Sequence, residues 1–70
     1  MGAELEYEVT FVFGSVDVIA LAFVDEGDFS DEETLEEVAI RRAGDTVREF
    51  VGVYTGDADE VSAKHTATLT

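Results

Sequence analysis

A strict alternation of residue types near the amino terminus constrains this chain more than any other feature. Every second residue from position 5 to 13 is large and apolar, namely Leu5, Tyr7, Val9, Phe11 and Phe13. The positions between them are mostly acidic or polar, namely Glu4, Glu6, Glu8, Thr10 and Val12. Because successive side chains of a β-strand point to opposite faces, the pattern predicts a strand with one buried face.

A two-residue turn follows the alternating segment. Gly14 and Ser15 suit a type II′ hairpin turn, so we expect a second strand from Val16 to Val24. A turn of this length also fixes which residues face each other. The predicted pairs on the first face are Phe13–Val16, Phe11–Val18, Val9–Ala20, Tyr7–Ala22 and Leu5–Val24. All of these pairs are apolar, which supports the predicted register.

A capping-box pattern predicts the start of a helix. Ser30 is followed three residues later by Glu33, and Asp31, Glu32 and Glu33 would lie in the first turn. The residues that share one helical face are Leu35, Val38, Ala39 and Ala43. Gly44 follows two arginines, as is typical of helix carboxyl termini. These features predict a helix of about 13 residues that ends before Gly44.

The segment after Gly44 has two interpretations. Val47 and the Phe50-Val51 pair continue the helical stripe, so the helix could run through Gly44. Residues 46–55 are instead rich in valine and aromatic residues, which favours a strand. Residues 60–70 alternate again, with Val61, Ala63, His65, Ala67 and Leu69 on one face. We adopt a second hairpin, which gives a single α+β domain over residues 1–70. Its order is β-β-α-β-β, with one helix packed on one face of a four-stranded antiparallel sheet.

The residue inventory offers little for catalysis or metal binding. The chain of 70 residues has no cysteine and a single histidine, His65. Thiolate metal sites, disulfides and the usual nucleophile–base combinations therefore lack their parts. Asp25, Glu26, Gly27 and Asp28 do not have the spacing of an EF-hand calcium loop. We expect a non-enzymatic protein with no cofactor, no metal and no catalytic residue.

Acidic residues dominate the charge. Seventeen acidic against four basic residues give a net charge of −13. Such a field repels nucleic acid and anionic membrane but attracts basic protein surfaces. The candidate acidic interface consists of Glu4, Glu6, Glu8, Asp25, Glu26, Asp28, Asp31, Glu32, Glu36 and Glu37. The same composition is typical of a protein adapted to molar salt or encoded by a GC-rich genome, and composition does not separate the two.

The predicted hairpin also places large apolar side chains on the face away from the helix. Ile19, Leu21 and Phe23 fall there, opposite Thr10, Glu8 and Glu6. A third strand would add Val51 and Val53 to this apolar interface. Exposed apolar patches commonly mark interaction sites. The alternative is that the carboxy-terminal hairpin folds back as a second layer and buries them.

These features lead to two functional hypotheses. The first is a protein–protein interaction or assembly module, homo-oligomeric through the apolar face, of the kind found among phage or halophile accessory proteins. The alternative is an acidic, DNA-mimicking inhibitor of a nucleic-acid-binding protein, similar to anti-restriction or anti-CRISPR proteins. The longest near-apolar run, Val18 to Val24, is shorter than the roughly 20 residues that span a bilayer. The amino terminus has no basic region, so we expect a soluble cytoplasmic protein.

Overall fold

Three antiparallel strands and one long helix form the part of the chain that the computed structural model describes, residues 3–28 and 32–69. The elements are β1 (Glu4–Phe13), β2 (Val16–Asp25), α1 (Leu35–Phe50) and β3 (Glu60–Leu69). Short 3₁₀ turns occupy Glu26–Asp28 and Thr55–Asp57. The strand order is β2-β1-β3, so β1 is central and β2 and β3 are the two edges.

The predicted first hairpin is confirmed in its register. Phe13 pairs with Val16, and every predicted pair on this face is present, as far as Leu5 with Val24. Gly14 has a φ of 61°, and no non-glycine residue in the described ranges has a positive φ. A type I′ turn requires positive φ at both central residues, whereas type II′ requires it only at the first. The turn is therefore type II′, as the Gly-Ser pair predicts.

The predicted four-stranded sheet is wrong. The segment assigned to a third strand continues α1 as far as Phe50, and β3 is the one strand that follows it in the described residues. The buried side chains of α1 are Val38, Ala39, Ala43 and Val47. They lie on one helical face, and Val47 is buried only because the helix extends past Gly44. The gain from packing this face against the sheet outweighs the preference of valine for strands.

The glycine that ends the helix is Gly52 rather than Gly44. Gly52 has a φ of 77°, and its N–H donates to the carbonyl oxygen of Arg48 at 3.2 Å. This is the left-handed conformation in which helices commonly end, and it favours glycine. Gly44 has a different role, because a Cβ there would lie 2.7 Å from Oγ1 of Thr55. Glycine at position 44 lets the Thr55–Asp57 turn approach the helix closely.

The N-cap of the helix lies four residues after Ser30, the N-cap that the sequence pattern predicts. Thr34 is the N-cap, and its Oγ1 accepts a hydrogen bond from the Glu37 backbone N–H at 3.2 Å. The Glu37 carboxylate accepts in return from the Thr34 N–H at 3.4 Å. Ser30 and Asp31 lie outside the described residues, while Glu32 and Glu33 precede the helix. Both Ser30 and Thr34 have a glutamate three residues later, so the local pattern alone does not choose between them.

One face of the sheet and one face of α1 enclose the core. The buried apolar residues are Leu5, Tyr7, Val9, Phe11, Ala22, Val24, Val38, Ala39, Ala43 and Val47. The small residues Ala20 and Ala22 lie opposite Val9 and Tyr7, which leaves room for the helix above β2. The helix accordingly packs more extensively on β2 than on β3.

A β-bulge in β3 changes which residues share a face. Tyr7 pairs with His65, but the next residue of β1, Glu6, pairs with Ala67. Thr66 is therefore the extra residue, and the predicted alternation of β3 is broken there. Since directly paired residues share a face, Ala67 lies on the face of Glu6 rather than that of Tyr7. The same shift places Leu69 beside Glu4.

Candidate interaction surface

The sheet face away from α1, called here the outer face, carries a row of exposed apolar side chains. Ile19, Leu21 and Phe23 are 59%, 51% and 45% exposed and form what we call the apolar column. Their paired residues on β1 are Thr10, Glu8 and Glu6, respectively. The face and register predicted for these three residues are confirmed, while their role as an interface stays a prediction.

The carboxy-terminal segment does not form a second layer over the apolar column. Within residues 32–69 a single strand follows the helix, and it lies beside β1 in the same sheet. The strand order puts β3 two positions away from β2. The apolar column is therefore left about half exposed, as its accessibility indicates.

Val51 and Val53 do not extend the apolar column. Val51 is the C-cap of α1 and is exposed, while Val53 lies in the following loop and packs partly against the core. The prediction that they belong to a strand of the outer face is wrong, because the helix occupies the first half of residues 46–55 and a loop follows it. Phe50 and Tyr54, also exposed, lie near the same end of the helix.

An acidic row lies directly beside the apolar column. Glu4, Glu6 and Glu8 occupy the outer face of β1, as the alternation predicts. The Glu6 carboxylate accepts a hydrogen bond from Oγ1 of Thr66 at 2.8 Å. Glu8 pairs in register with Lys64 of β3. The outer face thus changes from apolar on β2 to acidic on β1 within one inter-strand spacing.

The acidic residues at the end of β2 and in the turn after it accept hydrogen bonds from backbone N–H groups. The Asp25 carboxylate accepts from the Gly27 N–H at 3.1 Å, and the Glu26 carboxylate accepts from the Ala3 N–H at 3.3 Å. The Asp28 carboxylate accepts from the Asp25 N–H at 3.2 Å. It also forms an ion pair of 3.0 Å with Arg42. These carboxylates have structural partners within the chain.

The remaining candidate acids surround the start of α1. Glu37 completes the capping box, and Glu36 is an exposed residue of the first turn. Glu32 is exposed ahead of the helix, and Asp31 lies outside the described residues. The structure therefore divides the candidate acids between the outer face and the segment that joins β2 to α1.

Sequence reasoning missed the free backbone edge of β2. The two-residue turn makes Phe13 and Val16 a hydrogen-bonded pair, so even-numbered residues of β2 direct their backbone groups toward β1. Odd-numbered residues direct theirs outward, away from the sheet. Two contacts agree with this geometry. The Phe23 carbonyl oxygen accepts from the Arg42 guanidinium at 2.9 Å, and the Asp25 N–H donates to Asp28.

A cleft of about 420 Å³ lies between α1 and the turn at Thr55–Asp57. Ile40, Arg41 and Arg48 line it together with Asp45. Arg41 donates two hydrogen bonds to the Glu33 carboxylate, which raises the pKa of its guanidinium above the ordinary value. The cleft thus combines both signs of charge, and one of its arginines already binds a carboxylate.

Three further observations bear on the site. Among the residues that the structure describes, no group of three or more histidine, aspartate or glutamate side chains is placed to hold a metal ion. No helix within those ranges is long and apolar enough to cross a membrane. Comparison with protein-family models, curated proteins and solved structures finds no match for this chain.

Proposed function

We propose that this chain is a non-enzymatic protein–protein interaction and assembly module that associates with itself through the apolar column. The observation that carries the proposal is the exposure of Ile19, Leu21 and Phe23 in one row on the face that the helix leaves open. A chain of this size has few large apolar residues available for its core. Leaving three of them in line beside a row of glutamates is typical of an interaction surface.

The free energy gained by burying the apolar column is suited to reversible association. Each of these half-exposed side chains contributes about 1 kcal/mol when its remaining surface is buried. Complete burial of the columns of two copies would contribute at most roughly 6 kcal/mol, at the lower end of the ~4–15 kcal/mol lost on association. The apolar column therefore favours self-association but needs further contacts between the copies to give a stable dimer.

The net charge of −13 makes self-association depend on salt. Two copies repel each other at low ionic strength, whereas at 1 M salt the screening length falls to about 3 Å. Apolar contacts do not weaken with salt in this way. We therefore expect the dimer to become more stable from low to molar potassium chloride, whereas an acidic inhibitor bound to a basic partner would dissociate.

The acidic-inhibitor alternative has less support. Asp25 and Asp28 already accept hydrogen bonds within the turn, and Glu26 accepts one from the Ala3 N–H. The Glu37 carboxylate accepts one from the Thr34 N–H in the capping box. Carboxylates with such internal partners are less available to imitate a row of phosphates. Glu4, Glu8, Glu32 and Glu36 remain the candidates for contact with a basic protein surface.

Charge substitutions in the apolar column test the proposal. Leu21→Lys or Phe23→Lys places an ammonium group in the proposed interface, so we expect folded monomers by light scattering and circular dichroism. Phe50→Lys is the matched control, because Phe50 is 79% exposed at the end of α1. The control should keep the mass of the wild type. If the wild type is dimeric and both column variants keep its mass, the apolar column is not the interface.

A further inference from the structure

We propose that the free edge of β2 pairs antiparallel with β2 of a second copy about a two-fold axis, giving a continuous six-stranded sheet. This inference rests on the proposed self-association and specifies its geometry. The same outward backbone groups occur in both copies, so the contact is self-complementary, as a two-fold interface requires. Strand addition at a sheet edge is a common mode of recognition.

The edge of β2 is open along its first half. The outward backbone groups of Asp17, Ile19 and Leu21 have no partner in residues 3–28 and 32–69. Proteins usually protect such an edge with proline, lysine or a bulge. β2 has ten residues, neither proline nor lysine, and an unbroken register with β1. Asp17 is the one charged residue in the open half of this edge.

The second half of the same edge is blocked. Arg42 occupies the Phe23 carbonyl oxygen, and Asp28 occupies the Asp25 N–H. An incoming strand therefore pairs along Asp17–Leu21 and reaches no farther than the N–H of Phe23. Within this limit, apolar side chains match best when Ile19 lies opposite Leu21 of the second copy, with the axis near Ala20.

Electrostatics favours this arrangement over stacking of two outer faces. Stacked sheets lie about 10 Å apart, so Glu6 and Glu8 would be desolvated against the acidic row of the other copy. Edge pairing gives the strand order β1-β2-β2-β1, in which the two acidic rows lie about 14 Å apart. That distance exceeds the screening length of about 8 Å at physiological salt. The apolar columns of the two copies then lie side by side.

Backbone hydrogen exchange, measured by NMR in 1 M potassium chloride, tests the pairing. The N–H groups of Ile19 and Leu21 should exchange rapidly in dilute monomer and at least about tenfold more slowly at concentrations where light scattering gives a dimer. The N–H groups of Val18 and Ala20 face β1 and should be protected in both states. A dimer without protection at Ile19 and Leu21 would overturn edge pairing but leave the proposed function standing. A monomer at every concentration would overturn both.

A proline variant separates the backbone contribution from that of the side chain. Ile19→Pro removes an outward N–H, a change that an edge strand tolerates, whereas Ile19→Ala shortens the side chain and keeps the N–H. We expect the dimer dissociation constant of Ile19→Pro to exceed that of Ile19→Ala by about tenfold, with circular dichroism verifying that both variants fold. Equal dissociation constants in the two folded variants would contradict edge pairing.

Discussion

Arg42 and Phe23 connect the helix to the edge of the sheet, because the Arg42 guanidinium donates a 2.9 Å hydrogen bond to the Phe23 carbonyl oxygen. The same guanidinium forms an ion pair with Asp28. One side chain of α1 thus anchors the turn that follows β2 and occupies a backbone acceptor on the strand edge. The apolar column begins beside this contact.

Replacing Arg42 tests the contribution of this anchor to stability. Arg42→Ala removes a charge-assisted hydrogen bond and an ion pair, both partly exposed to water. We expect the free energy of unfolding in urea to fall by about 1 kcal/mol. Arg41→Ala is the comparison, since the hydrogen bonds and the ion pair of Arg41 go to the side chain of Glu33, which lies outside the sheet. An Arg42→Ala variant as stable as the wild type would show that neither the Phe23 carbonyl contact nor the Asp28 ion pair stabilises the fold.

The close approach of Gly44 and Thr55 predicts a coupling between these positions. Alanine at position 44 favours the helix by up to about 1 kcal/mol, but its Cβ would collide with Oγ1 of Thr55. We expect Gly44→Ala to give little or no stabilisation in the wild type and up to about 1 kcal/mol in a Thr55→Ala background. A double-mutant cycle of urea unfolding measures the difference. Equal effects in both backgrounds would contradict the close approach.

The N-cap assignment at Thr34 makes a third prediction. Thr34→Ala removes the oxygen that accepts the Glu37 N–H, so the free energy of unfolding should fall by about 1 kcal/mol. Thr34→Ser keeps this oxygen and should stay within a few tenths of a kcal/mol of the wild type. A Thr34→Ala variant as stable as Thr34→Ser would place the start of the helix elsewhere.

The net charge of −13 predicts that folding itself depends on salt. Repulsion among the carboxylates destabilises the compact state, and screening relieves it. Thermal unfolding, followed by circular dichroism, should therefore show a midpoint that rises from low salt to 1 M potassium chloride. A chain that folds only in molar salt would assign most of the acidity to salt adaptation. A midpoint that does not change would mean that charge repulsion contributes little.

Local sequence information was sufficient for the first hairpin. The alternation from Leu5 to Phe13 and the glycine at position 14 determine the register, and the register determines that Ile19, Leu21 and Phe23 share the outer face. These side chains of the candidate interface could thus be identified before the structure. The backbone edge could not, since its exposure depends on the strand order.

Two of the errors came from contacts between residues distant in sequence. Gly44 resembles a helix terminus, but it lies inside α1. A glycine there leaves room for Thr55, which lies eleven residues later. The bulge at Thr66 depends on pairing with Glu6, and it moves Ala67 to the outer face. Thr66 Oγ1 donates to both the backbone oxygen and the carboxylate of Glu6, which fits this irregular pairing. Neither contact leaves a signal in the local pattern.

The absolute mass of the wild-type chain tests the central claim most directly. Light scattering across a range of protein concentrations, in low salt and in 1 M potassium chloride, would be combined with circular dichroism to verify folding. The account predicts a folded chain that passes from monomer to dimer with increasing concentration, at lower concentration in high salt. A folded monomer at every concentration in both salts would contradict the claim that the apolar column joins two copies of this chain.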